Sequence, residues 1–516
     1  MNFKYYELST VYRLAWCAVK KYNCKIVKVY HGSGVETFEN FFVEGAWDGE
    51  FNLGNFDESA FFMGTGANCK NQGKANVTFS TSSHTLERLY SISFNEDIYI
   101  SNSLPLILYL SDSKLDSKYL NYETDFNSIL KGLNEYTRKI PLHNGRILNL
   151  HYYCNIKLNS ENKLLEIPKK EIKPFENYIE YEKRLMETLR NFINNAQSHY
   201  RKIKYGMVTT ISKGYDAAAC AALAKEVGCD TAVTFDKPEK YAEDCGKDIA
   251  ETLGYKKIIT KNANEYLNNS SLIEAEFLSS GELGTGIVFT AFENEFMNNV
   301  VFMGERGDKI WDKNRTDYNN NFQFTDEVFA GTSLIENRLR VGYIILPVPL
   351  YGASQWVSIH NISNSEEMKP YSIGGNYDRP IPRRILEDRG VPRSMFGMDK
   401  KGAGFNYRYD NLGRVKKRMS PESFERFNKF YKNNKRKGIN IILHWLKFLW
   451  NTKEQYIRYF LNKIGLDVQF NKIGADAISN PGAPSYLFNW GIYELIKKLE
   501  SENIKESLDE NDCKIF

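Results

Sequence analysis

The segment TTISKGYDAAACAAL, residues 209–223, carries the residue types and spacing that point most directly to chemistry. Its β-branched start reads as a strand. The strand runs into Ser212, Lys213, Gly214, Tyr215 and Asp216, and an alanine-rich helix is predicted to begin at once. A turn of that kind aims backbone N–H groups and the positive end of a helix at one point, which suits a phosphate. Gly214 is free to adopt the positive φ that close backbone approach calls for. Ser212 has a hydroxyl to donate to a phosphate oxygen, and Asp216 offers carboxylate oxygen to Mg2+, which prefers it. The same residues also fit a plain strand-to-helix turn in which Asp216 caps the helix.

The elements that must hold this turn alternate. IKYGMVTTI (203–211), DTAVTF (230–235), KKIIT (256–260) and NVVFMG (299–304) read as strands. DAAACAALAKEVG (216–228) and AEDCGKDIAETLG (242–254) read as helices, each closed by a glycine. Strand–helix–strand order predicts a parallel sheet with right-handed crossovers, and ligands in such sheets sit beyond the carboxyl ends of the strands. The first ~158 residues read as β-rich, with strands in KIVKVY (25–30), FFMGTG (61–66), LYSISF (89–94), IYISNS (98–103), GRILNL (145–150) and YCNIKLN (153–159). NSENKLLEIPKKEIKPF (159–175) is charged and holds Pro168 and Pro174, so a linker is expected there. A helix follows, with Leu185, Met186, Leu189, Phe192, Ile193 and Ala196 at helical spacing, and the last hundred or so residues read as helical.

Composition narrows the function classes. With 516 residues and a net charge of +4, the chain lacks the basic excess of a nucleic-acid binder. Eight cysteines are too few for a disulfide scaffold and form no CxxC pair. Seven histidines show no HxH or HExxH spacing, so a zinc site of the usual kind is not expected. MNFKYYELST lacks the apolar core of a signal peptide, and no apolar run approaches ~18 residues. A cytoplasmic protein that engages no membrane is therefore expected; its oligomeric state is not encoded in any motif.

SKGYDA resembles the SGGxDS pyrophosphate loop of the ATP pyrophosphatases, and in particular the synthetase domain of the asparagine synthetase-like family. GERGD (304–308) resembles that family's GEGxD segment, AEDCGKDIAETLG its helix after the second strand, and RPIPRRILEDRGVPRSMFGMDKKG (379–402) its lysine-bearing C-terminal stretch. The resemblance implies an α/β fold: a β-rich, Ntn-hydrolase-like domain over 1–165, then a parallel-sheet ATP-pyrophosphatase (HUP-like) domain over 175–516 with a helical C-terminus. It implies an ATP- and Mg2+-dependent ligase that joins a small-molecule or peptide carboxylate to an amine. By resemblance, Asp216 and Asp308 hold magnesium, while Ser212, Lys213, Gly214 and Tyr215 belong to the pyrophosphate loop. Thr234 and Phe235 meet adenine through their backbone. Glu305 orients the amine or takes its proton, and Lys400, with Lys401 as the alternative register, stabilises pyrophosphate.

The sequence also departs from the family. Lys213 stands where glycine is usual, Ala217 where serine is usual, and Lys309 where another acid is common. The loss of a serine hydroxyl removes one charge-assisted hydrogen bond, worth ~1–3 kcal/mol. SHTLERLYSISFNEDIYISNS (83–103) and LNEYTRKIPLHNGRILNL (133–150) resemble core and final strands of the family's glutaminase domain, which needs a cysteine at its mature N-terminus. Here position 2 is Asn2 and the first cysteine is Cys17. The arrangement is similar to β-lactam synthetases and lasso-peptide macrolactam synthetases, whose amine does not come from glutamine. Two other readings stay open: sulfur insertion after adenylation, using Cys220 and Cys229, and a nucleotide-binding scaffold without turnover.

Overall fold

The computed structural model describes residues 1–69, 76–117, 119, 121–237, 244–268, 272–281, 285–314, 335–375, 377–397, 407 and 410–435. It also describes 441–443, 445, 446, 448, 449, 461, 463, 464, 466 and 481–501. Among them the N-terminal strands are β1 (Asn2–Glu7), β2 (Trp16–Lys20), β3 (Ile26–His31), β4 (Glu36–Thr37), β5 (Phe41–Trp47), β6 (Phe62–Cys69) and β7 (Val77–Ser80). They continue with β8 (Leu89–Phe94), β9 (Asp97–Ser101), β10 (Lys139–Pro141), β11 (Ile147–His151), β12 (Cys154–Leu158) and β13 (Leu164–Pro168). These build two sheets, ordered β1-β3-β2-β9-β8-β11-β10 and β13-β12-β7-β6-β5-β4. Pairing is antiparallel except between β1 and β3. Alternating apolar side chains meet between the sheets, with Trp16, Phe42, Phe79, Leu89, Ile100 and Ile156 buried together. Trp16 also donates its indole N–H to Thr65 Oγ1 at 2.9 Å, so its burial leaves no polar atom unpaired.

The second unit is a five-stranded, all-parallel sheet of β14 (Gly206–Thr210), β15 (Thr231–Lys237), β16 (Lys257–Asn262), β17 (Asn299–Met303) and β18 (Ile344–Pro347). Its order is β16-β15-β14-β17-β18. The chain therefore leaves β14 on one side and returns on the other, which opens a crevice at the carboxyl ends of β14 and β17. The helix Tyr215–Glu226 packs its alanines, Ala218, Ala219, Ala221, Ala222 and Ala224, into the core. Small side chains let it lie close to the sheet. The C-terminal helices Pro421–Asn434 and Leu487–Glu500 pack nearby through Phe427 and Trp490.

The outer face of the six-stranded sheet joins this second core. Phe61 packs edge-on against Phe192 of the helix Tyr178–Ala196, with centroids 5.7 Å apart. Charges are buried at the same junction. Arg338, on the helix Ile335–Val341, reaches Glu44 at 2.8 and 3.1 Å and also pairs with Glu87, while Arg201 pairs with Glu36 at 2.6 Å. Buried charges persist only when paired in this way.

The expected alternation of strands and helices is present, with two differences. The stretch expected as a linker contains β13, which pairs with β12 through Pro168, so the N-terminal unit runs past residue 165. The helix expected over 242–254 is shorter, Lys247–Thr252, and ends at Gly254 with φ +74. Most of the expected helix at 439–450 lies outside the described residues or at its scattered positions.

Candidate active site

β14 delivers the loop. Ser212, Lys213, Gly214, Asp216 and Ala217 are all partly accessible, so the turn is not plugged. Ser212 Oγ accepts the Gly214 N–H at 3.2 Å, Lys213 N–H donates to the Asp244 carbonyl at 3.4 Å, and the Tyr377 hydroxyl bonds the Tyr215 backbone. Three loop N–H groups expected to be free thus have protein partners. Thr234 Oγ1 accepts the Gly246 N–H at 3.0 Å, and Cys245 forms a bridge with Ser212, so the segment 244–246 braces the loop. The Lys213 Nζ makes no hydrogen bond or ion pair among the described residues.

Gly214 differs from the expectation: its φ is −72° and its ψ 156°, extended backbone open to any residue. A Cβ there would meet only Ser212 Oγ at 3.4 Å and the Tyr377 hydroxyl at 3.9 Å. The protein itself does not need glycine at this position. Tyr215 belongs to the loop through its backbone. Its ring is fully buried, bonded by Arg383, packed on Phe396 and covered by Gly397, so only its backbone borders the loop. Phe235 likewise turns its ring inward, 5.0 Å from Phe292 and 5.6 Å from Phe289.

β17 brings the second half of the site. A Cβ on Gly304 would lie 2.5 Å from Ala217 N, and one on Gly307 would lie 2.5 Å from Asp216 Oδ1. No side chain fits at either place. These two glycines let the segment GERGD close onto the first turn of the helix, with Asp308 one residue beyond the Asp216 carboxylate's neighbour. Arg379, itself buried, holds this segment by donating to the Asp308 carbonyl at 3.3 Å and to Asp312 at 2.8 Å.

Glu305 is 38% exposed, yet burial of its surroundings pushes its carboxyl above the usual carboxylate range. Arg306 opposes that shift and the Asp308 charge adds to it. Arg306 was not singled out from the sequence. It takes a left-handed φ of +65° at the start of the helix Gly307–Ile310. Its Nε is 3.6 Å from Glu305 Oε1 and has no hydrogen-bond acceptor among the described residues. An arginine inside an acid-flanked glycine turn is the sequence signal that marks it. Lys400 and Lys401 lie outside the described residues; Gly397, three positions before Lys400, donates its N–H to the Lys213 carbonyl at 2.8 Å.

Asn2 pairs with Ile26 in the edge strand, and Cys17 is fully buried with its thiol pKa pushed far up by that burial.

No protein-family model matches the chain, and no curated protein matches it in sequence. One solved structure with a detectable likeness is glutamine-dependent NAD+ synthetase from Acinetobacter baumannii in complex with adenosine diphosphate. Identity is 14% over 57% of this chain and 56% of that one, so the match spans little more than half of either. The TM-score of 0.20 is too low to bear on fold or function. The folded chain is a β-rich two-sheet unit joined to a parallel α/β unit, in which the first turn of the helix after β14 lies against Gly304 and Gly307 of the segment after β17. No described helix is long and apolar enough to cross a membrane.

Proposed function

We propose that the chain is an ATP-dependent, AMP-forming ligase that adenylates a carboxylate and transfers the acyl group to an amine, without drawing on glutamine. The observation that carries this reading is the contact of Gly307 with the Asp216 carboxylate, which sets the loop after β14 against the acid segment after β17. That contact creates a cradle lined by carboxylate and closed to any side chain, and Mg2+ fits such a donor set. Asp216 and Asp308 would hold it, and bound there it neutralises polyphosphate charge.

The chain's own groups supply the rest. The Lys213 ammonium and the Arg306 guanidinium, which has Glu305 3.6 Å away, make no hydrogen bond among the described residues and are suited to phosphate oxygens. With no side chain at Gly214, where a Cβ would touch Ser212 Oγ and the Tyr377 hydroxyl, the polyphosphate approaches the backbone directly. The substrate carboxylate attacks the α-phosphorus, its oxygen forming a bond as pyrophosphate leaves. The amine then attacks the acyl carbon, AMP leaves, and Glu305, with its raised proton affinity, takes the ammonium proton. Lys213 supplies a charge where Ala217 supplies no hydroxyl.

The sulfur-insertion reading is weaker, because Cys220 and Cys229 are fully buried and burial raises both thiol pKa values, that of Cys229 to about 12. The test is pyrophosphate release from Mg2+-ATP across a panel of carboxylates, with AMP detected when amines are added. Pyrophosphate release that depends on a carboxylate and is abolished in Asp308→Ala supports the reading. ATP binding with no release under any pairing supports a scaffold instead.

A further inference from the structure

Three side chains that the ligase reading does not use meet in the N-terminal unit. His151 ends β11 in the seven-stranded sheet, while Cys154 opens β12 and Glu166 lies in β13, both in the six-stranded sheet. Between them the chain turns through Tyr153, at a left-handed φ of +48°, which folds His151 and Cys154 toward one point. A histidine nitrogen, the cysteine sulfur and a carboxylate oxygen all lie within 4.8 Å of one another. Around a tetrahedral zinc ion, with bonds of ~2.0–2.3 Å, such atoms stand ~3.3–3.8 Å apart. The trio therefore encloses an ion of that size with shifts of ~1 Å.

Each ligand is already oriented by a partner of its own. The second ring nitrogen of His151, Nε2, meets the buried Ser91 Oγ at 2.8 Å, the outer hydrogen bond that fixes the tautomer of a metal-bound imidazole. Glu166 takes Arg138 on one oxygen at 2.7 Å and His151 Nδ1 on the other at 2.6 Å. The Cys154 N–H is tied to Thr81 Oγ1 at 3.0 Å. Burial pushes the Cys154 thiol up to about 12, with the Glu166 charge adding to that shift and Lys169 and Arg138 opposing it, so its ionisation comes with the ion. His151 and Cys154 are buried while Glu166 is 36% exposed, so one side of the trio opens to solvent.

We propose that His151, Cys154 and Glu166 bind a zinc-class divalent cation through one nitrogen, one sulfur and one oxygen, with water as the fourth ligand, and that the ion clamps the two N-terminal sheets together. Mixed N, S and O donors select zinc over magnesium or calcium, which take oxygen. On binding, the Cys154 thiol proton passes to solvent, and the neutral imidazole of His151 takes the tautomer with its single proton on Nε2. The Nδ1 lone pair then ligates while Nε2–H donates to Ser91. This site is independent of ATP chemistry, so its failure and that of the ligase reading are separate results.

The full-length protein, stripped with a chelator and dialysed, is titrated with Zn2+ and separately with Co2+. The expected result is one ion per chain, a thiolate-to-cobalt charge-transfer band, and a Zn2+-dependent rise in melting temperature. Cys154→Ser abolishes the band, and Glu166→Gln and Ser91→Ala each weaken Zn2+ binding ~10–100-fold. Should Cys154→Ser misfold, X-ray absorption of the zinc-loaded wild-type protein replaces it, with one sulfur and two or three N/O neighbours expected. Absence of stoichiometric uptake, a cobalt spectrum or absorption edge without sulfur, or full affinity in Glu166→Gln overturns the proposal.

Discussion

At the scale of single residues, two glycines separate what the protein needs from what a ligand needs. Gly307 is required by the protein, because a methyl group would stand 2.5 Å from Asp216 Oδ1. Gly214 is not, since its backbone is extended and a Cβ there would make only ordinary contacts, 3.4 Å to Ser212 Oγ and 3.9 Å to the Tyr377 hydroxyl. Gly214→Ala is therefore expected to cost at most ~1 kcal/mol of stability, the scale of a changed helix N-cap. If a polyphosphate lies on that backbone, the same change weakens ATP binding ~10-fold or more, each decade being ~1.4 kcal/mol. Chemical denaturation and nucleotide titration of the one variant read the two effects separately. Equal, small changes in both would remove the loop from the binding site.

At the scale of elements, local patterns announced most of the strands and the helix after β14, because their periodicity is written within ten residues. TTI running into SKGYDAAAC was legible as a strand, a turn and a helix. The inward turn of Tyr215 was not, because Arg383, Phe396 and Gly397, which enclose it, lie some 170 residues on. Neither was the extended φ of Gly214, which depends on Tyr377 and the 244–246 segment. The His151–Cys154 pair had a visible spacing, but Glu166 joins it only through the β12–β13 register. Glu336 belongs to this scale as well. It opens the helix Ile335–Val341 and accepts hydrogen bonds from Ser103 Oγ at 2.9 Å and Leu104 N–H at 3.0 Å, so it joins that helix to the start of the helix Leu104–Leu110. Burial raises its pKa from 4.5 to about 8. A carboxyl raised on folding favours the native state while protonated, and that contribution falls as pH climbs from about 4.5 to 8. Glu336→Gln, neutral throughout, is expected to flatten that fall in unfolding free energy; an unchanged pH profile would contradict the assignment.

At the scale of the whole molecule, the N-terminal unit is bolted to the parallel-sheet unit by charge as well as by apolar packing. Arg338 is buried with Glu44 and Glu87, and burial of a paired network is stable only while complete. Arg338→Ala leaves two buried carboxylates facing each other and is expected to cost ~3–5 kcal/mol, measured by denaturant unfolding. Double replacement of Glu44 and Arg338 by apolar residues of similar volume should recover part of that loss. The account as a whole stands on the Asp216 carboxylate, which lies against Gly307 in the segment after β17. Calorimetric titration of ATP with Mg2+ into the wild-type protein and into Asp216→Ala tests it most directly. The account predicts saturable, magnesium-dependent binding to the wild type that weakens at least ~100-fold, or ~2.7 kcal/mol, in a variant that still unfolds cooperatively. Equal affinity in the two proteins, or no binding to the wild type, would contradict it.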